Sequence, residues 1–216
     1  MFIGTPCQIA GLKSYIGEVP DNMYLIDLVC HGVPSQKMLN EHVRQISKGR
    51  TVSKITFRSK NRYIFNIKGE GFEHNEDKYW KDKYMKAFME GITFRPSCYT
   101  CLYAGCKRGG DISIGDFWGL KDSAFPPELG NGVSLVLPCT DKGEKLLEEI
   151  RDAAVMFERD LSEAVEGNTQ LQHPSKINWR VKLFQLLYPI FPFDISVMAV
   201  TADLKVKSLL RLIFKS

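Results

Sequence analysis

What this sequence lacks narrows it first. It has no dense run of Lys and Arg: 29 basic residues stand against 25 acidic ones, a formal net charge of +4, and the basic residues are scattered along the chain. A phosphate backbone is tracked by clustered positive charge, so nucleic acid is a poor candidate partner. No apolar run is long enough to span a bilayer, since Leu183–Val200 is broken by Gln185, Pro189, Pro192 and Asp194. No basic, apolar, small-residue leader opens the chain. These absences lead to the expectation of a cytoplasmic protein without a transmembrane segment. Internal repeats and low-complexity tracts are missing as well, and no residue stands out as an acid-base catalyst.

What is present is enough for a core of its own: 216 residues, 44% of them apolar and a quarter charged. Six cysteines carry the rest of the signal. In a reducing compartment such a count points to metal binding or redox chemistry more than to disulfides, although any one of them can be read as a small buried apolar residue.

The pattern of elements predicts an α/β fold with a mixed sheet. Met1-Phe2-Ile3 reads as the end of an apolar strand too short to pair well alone, which leads to the expectation of a start inside, or a shortened form of, a longer protein. Thr5 then suits an N-cap, Pro6 the first helical position and Gly17 the stop. Met23–Val29 reads as a strand holding one acid, Asp27, followed by a helix with Met38, Leu39, His42, Val43 and Ile46 on one face. Two strand-turn-helix units in succession argue for parallel strands, whose carboxyl ends are where sites form. Lys54–Arg58 and Tyr63–Ile67 read as an antiparallel hairpin at the sheet edge, with a turn over Ser59–Arg62. A helix is expected over Asp77–Met89 and a cysteine loop from Cys98 to Gly110. Asp111–Phe117 and Val133–Leu137 read as strands, Asp141 to about Ala153 as a helix, and Val155–Phe157 as strand-like. From Ser162 the chain reads as helical and irregular. Lys205–Lys215 ends it as an amphipathic helix read as covering the core in preference to lying on a membrane.

Four cysteines sit where a metal cluster would want them, in Gly4-Thr5-Pro6-Cys7-Gln8, Val29-Cys30-His31-Gly32 and Cys98-Tyr99-Thr100-Cys101. Two residues between Cys98 and Cys101 let both thiols reach one metal. Cys7 at the second position of its helix would meet unpaired N–H groups and the positive end of the helix dipole, both of which favour a thiolate. The spacing suits a 4Fe–4S cluster and equally an all-thiolate zinc site. A redox disulfide fits less well, because the pair lies outside a strand-to-helix turn. Cys106 and Cys139 are set aside, Cys139 as a core residue. His31 reads as a ligand-orienting group, a proton acceptor or a satisfied core histidine. Gly32 allows a close backbone path to a cluster. Lys107 and Arg108 read as an anion site or a solvated turn. Asp116-Phe117-Trp118-Gly119 reads as a wall for a planar ring or as core packing.

At four ordered motifs the chain resembles the C-terminal region of the coenzyme F420 hydrogenase/dehydrogenase beta-subunit family. These are Gly4–Leu12, Asp27–Ser35, Arg95–Cys101 and Asp111–Gly119. The resemblance implies Cys7, Cys30, Cys98 and Cys101 as ligands of a 4Fe–4S cluster in a domain over residues 1–160, with 161–216 as its helical C-terminal extension. It further implies FAD as electron relay and coenzyme F420 as the substrate that exchanges a hydride with the flavin; Thr5, Gln8, His31 and Asp116 are the polar candidates for a place near the cofactor. The chain departs from the family in lacking its glycine-rich flavin region and the ferredoxin-like cysteine runs. Cys139 stands where relatives have Asn, and Cys106 is not typical. The expectation is therefore an electron-transfer oxidoreductase subunit or fragment, with a redox partner or a separate flavin-binding or ferredoxin-like chain. The alternative is a non-catalytic cluster- or zinc-binding remnant docked on such a chain.

Overall fold

The computed structural model describes residues 1–59, 62–120 and 132–213, with side chains through Asp203. They form two compact units, Met1–His31 with Thr100–Ser175, and Gly32–Tyr99 with Lys176–Ser216.

The first unit is built on a four-stranded mixed sheet. Its strands are β1 (Phe2–Gly4), β2 (Leu25–Leu28), β6 (Ile112–Asp116) and β7 (Ser134–Pro138), adjacent in that order. The first three run parallel and β7 returns antiparallel. Short as it is, β1 pairs over its whole length, Phe2 with Leu25, Ile3 with Ile26 and Gly4 with Asp27. Helix α1 (Pro6–Ile16) begins at the expected cap, where the Gln8 Oε1 accepts the Thr5 N–H at 2.8 Å, and it stops at Gly17. α5 (Asp141–Glu149) is capped by Thr140, whose hydroxyl oxygen accepts the Gly143 N–H. Leu135, Ala164 and Leu171 form the small core, with Val29 and Phe117 against it, and Ala164 comes from α6 (Leu161–Gly167). Among the described residues β7 is an edge strand that hides only Leu135 fully. Val155–Phe157 belongs to neither sheet, and Val155 is 79% exposed. Its apolar run lacks the alternation that would give a strand one buried face.

The second unit holds the rest. Here α2 (Gln36–Ser47) turns Leu39, Val43 and Ile46 onto a three-stranded antiparallel sheet of β3 (Val52–Ser59), β4 (Arg62–Gly69) and β5 (Phe72–Glu76). The hairpin is thus the start of a second sheet, not the edge of the first; β5 was hidden in the polar run Phe72-Glu73-His74-Asn75-Glu76, which has almost no apolar alternation to read. The expected turn at Ser59–Arg62 includes residues 60 and 61, which lie outside the described residues. The helix expected from Asp77 starts only at Lys83 (α3, Lys83–Met89), since the Asp82 carboxylate caps it by accepting the Met85 N–H at 2.8 Å. α4 (Pro96–Tyr99), α7 (Trp179–Leu187) and α8 (Phe193–Ile213) complete the unit. Phe193, Val197 and Val200 of α8 bury against Phe184, Ala87 and Ile92, whereas the side chains of the expected Lys205–Lys215 helix lie outside the described ones. The last residues of the expected Lys205–Lys215 helix, 214 and 215, lie outside the described residues.

Candidate functional site

Register brings several of the candidate residues to one edge of the first unit's sheet. Gly4 pairs with Asp27, and Asp27 with Ser113. Three residues beyond these partners stand Cys7, Cys30 and Asp116, so Cys7 and Cys30 follow the carboxyl ends of β1 and β2 and Asp116 is the last residue of β6, at the edge where sites of open α/β sheets gather. Thr5 and Gln8 are at the same edge, but they are engaged with each other in the helix cap: Thr5 Oγ1 donates to Gln8 Oε1 at 3.1 Å and lies 3.2 Å from Cys7 Sγ.

His31 is half-buried there. Its Nδ1 is 2.7 Å from Gln170 Nε2, and since an amide NH2 can only donate, Nδ1 accepts and the ring proton resides on Nε2. Its carbonyl accepts from Ser175 Oγ at 3.0 Å. Burial lowers the His31 pKa, with the Asp116 carboxylate pulling the other way. The imidazole is therefore neutral at pH 7. Asp116→Asn is expected to lower the His31 pKa further, read by following its ring protons through an NMR titration; an unchanged or higher value would contradict the contact.

The cysteine loop is held by a group that sequence reading misassigned. Arg108, read as an anion site or a solvated turn, is neither: its side chain is 2% exposed and ion-paired with Asp27, which is 0% exposed. The Arg108 Nε donates to Asp27 Oδ1 at 3.1 Å and to Ser113 Oγ at 2.9 Å, Nη2 donates to the Leu28 carbonyl at 2.8 Å, and Nη1 reaches the carbonyls of Tyr103 and Gly105. Asp27 also accepts from the Gly110 N–H at 2.9 Å and from the Ser113 hydroxyl at 2.6 Å. A buried carboxylate is tolerated because its charge is paired and its lone pairs are filled. The network ties the loop after Cys101 to β2 and β6. A lone acid in an otherwise apolar strand was the available signal, because such an acid demands a buried partner.

The remaining candidates fall in both units. Cys101 is half-buried in the first unit, whereas Cys98 lies in the second, in α4, against the cluster of Phe94, Tyr99 and Val181. Gly32, with φ of 128°, does permit a close approach, but the neighbour is Phe94, whose ring a Cβ would meet at 2.5 Å. Cys106 donates to the Leu171 carbonyl at 3.2 Å. Cys139 is part-buried, donates to the Leu137 carbonyl at 3.2 Å, and burial raises its pKa. Phe117 packs in the small core, while Trp118 is 36% exposed and its carbonyl sits against Gly167 so closely that a Cβ there would clash with it. The cavity beside it, about 570 Å³, is lined by Gly119 with the charged side chains of Arg159, Asp160, Glu163 and Glu166, a poor surface for an apolar ring.

All six cysteines are thiols, not disulfides. In donor chemistry Cys7, Cys30, Cys98 and Cys101 fit an iron–sulfur cluster, which is held by thiolates. Among the described residues, no three His, Cys, Asp or Glu side chains are already gathered as metal ligands.

The chain belongs to the coenzyme F420 hydrogenase/dehydrogenase beta-subunit family: the family model for the C terminus of that beta subunit matches residues 1–164. A comparison with curated proteins finds no match. Among solved structures, a chain from the F420-reducing NiFe hydrogenase complex of Methanosarcina barkeri is similar, with 18% identity and a TM-score of 0.42 over 79% of this chain and 58% of that one. This protein thus spans little more than half the length of the chain it matches. Among the described residues, no helix is long and apolar enough to cross a membrane.

Proposed function

We propose that this chain is an iron–sulfur electron-transfer component of a flavin-linked oxidoreductase of the F420 type, with Cys7, Cys30, Cys98 and Cys101 as the ligands of a 4Fe–4S cluster. One observation carries the reading: Cys7 and Cys30 each stand three residues past the registered pair Gly4–Asp27 of two neighbouring parallel strands. When bound, the cluster would supply one-electron transfer. The protein's own residues do the rest. The hydroxyl of Thr5 lies within hydrogen-bond distance of the Cys7 sulfur, a contact of the kind that tunes a ligand. Arg108 holds the loop that follows Cys101, and neutral His31 keeps a proton on Nε2 at the same edge as Cys30. FAD and coenzyme F420 belong to this reading as the electron relay and the terminal hydride carrier. These 216 residues contain no glycine-rich flavin turn, so the reading pairs them with a flavin held elsewhere.

The test is electron transfer itself. Chain purified without oxygen, reduced with dithionite and freed of excess reductant, is mixed with oxidised FAD and the flavin absorbance near about 450 nm is followed. Bleaching with recovery of the oxidised cluster spectrum is the expected result. A chain with a cluster that never passes electrons to flavin would overturn the electron-transfer role.

A further inference from the structure

The C-terminal part of the second unit combines two features that the electron-transfer reading does not use. The first is charge. Residues 176–216 contain seven Lys and Arg against two Asp, a net of +5 in a chain whose total is +4, so the rest of the protein is close to neutral. Both acids are occupied: Asp194 is buried against His42 and Lys83, and Asp203 pairs with Arg180. Four of the basic residues, Lys205, Lys207, Arg211 and Lys215, fall in the last twelve positions, which hold no acid.

The second feature is an exposed apolar face. α8 buries Phe193, Val197 and Val200, yet on its other side Ile195 is 50% and Met198 47% exposed, followed by exposed Ala199 and Ala202. This i, i+3, i+4, i+7 series contains no hydrogen-bonding side chain. In the sequence the same spacing runs on through Val206, Leu209 and Ile213. At the turn into α8, Ile190 is 71% and Phe191 45% exposed, and α7 adds Leu186 at 67% and Trp179 at 55%. A protein partner would meet polar groups every hundred or two hundred Å² of interface. A strip without them, with an exposed indole and a surplus of cations, complements an anionic lipid surface: apolar side chains enter the acyl boundary while Lys and Arg meet the headgroups.

We propose that the α7–α8 segment docks this protein, in the plane of the interface, on membranes carrying anionic lipid. The proposal is independent of any cluster, and its test reads binding, not activity. The full chain is spun with vesicles of phosphatidylcholine alone and of about three parts phosphatidylcholine to one part phosphatidylglycerol. It should sediment with the second and stay in solution with the first, and added salt should release it. Ile190→Glu with Ile195→Glu, both at exposed positions where folding is unaffected, should cut binding about tenfold or more, and Lys205→Glu with Lys207→Glu should do the same. Far-ultraviolet circular dichroism identical to that of the unmodified protein confirms the fold of each variant. Three results would overturn the proposal: no sedimentation with anionic vesicles, equal sedimentation of the variants, or a dimer in light scattering that Ile190→Glu with Ile195→Glu dissolves, which would assign the face to a second copy.

Discussion

Replacing Arg108 with Met is expected to destabilise the protein by about 3–5 kcal/mol, because it leaves the fully buried Asp27 carboxylate without its counter-charge. The loss is measured as the shift in urea midpoint. It follows from the sheet: Asp27 is inside β2, paired with Gly4 on one side and Ser113 on the other, so its charge has no route to water. Replacing both partners, Asp27→Leu with Arg108→Met, should recover much of that stability, because the apolar pair removes the desolvated charge along with its partner. The same double variant should still lose iron on purification, because no guanidinium then ties the carbonyls of Tyr103 and Gly105 to the sheet. A loss below about 1 kcal/mol in Arg108→Met would place the pair at the surface, contrary to the geometry.

The second large effect is a pH dependence centred on His42. Its ring lies 2.6 Å from Asp194 through Nδ1 and 2.8 Å from Asp82 through Nε2, and Lys83 Nζ reaches the other Asp194 oxygen at 2.8 Å. The Phe65, Tyr84 and Phe193 rings close around it, and Tyr84 lies parallel at 6.2 Å. Burial alone would lower the His42 pKa, but the hydrogen bonds and charges of Asp194 and Asp82 outweigh it and raise the value to about 9. The folded-state pKa is above the unfolded one, so this contribution is complete below about pH 6.5 and disappears as pH rises through about 9. On the order of 3 kcal/mol of stability should be lost across that window. Asp194 works in the opposite direction: its burial would raise its pKa, but His42 and Lys83 hold it below the ordinary value. Its contribution is lost as acid protonates it. Urea midpoints taken from pH 6 to pH 10 should fall on the alkaline side in the unmodified protein, and the fall should be missing in His42→Gln. A flat alkaline limb in the unmodified protein would contradict a charged His42.

Which parts of this were legible in the sequence follows from where the signals lie. The caps were: Thr5, Pro6 and Gly17 set the limits of α1 through local backbone chemistry, which neighbouring residues dictate. The parallel pairing of β1 with β2 was also readable, because strand-turn-helix units leave few other connections, but the place of β6 beside β2 was not. The helix face of Leu39, Val43 and Ile46 obeyed its period, and His42 among them was placed correctly as an inward residue. What that reading could not give was partners far along the chain. Asp82 and Asp194 lie 40 and 152 residues from His42, and Arg108 lies 81 from Asp27. Nothing local announces such pairs. Gln170, which fixes the His31 tautomer, was equally hidden, being 139 residues away. β5 failed for a different reason, since a strand with mostly polar side chains is recognised by its hydrogen bonds to β4 and not by its pattern.

The measurement that bears most directly on the central claim is iron, acid-labile sulfide and zinc on anaerobically purified protein, for the unmodified chain and for alanine at each of its six cysteines. About four iron and four sulfide per chain are expected, lost in Cys7→Ala, Cys30→Ala, Cys98→Ala and Cys101→Ala and retained in Cys106→Ala and Cys139→Ala. Zinc without sulfide, or a metal content that the first four substitutions leave unchanged, would contradict the assignment of these thiols to an iron–sulfur cluster.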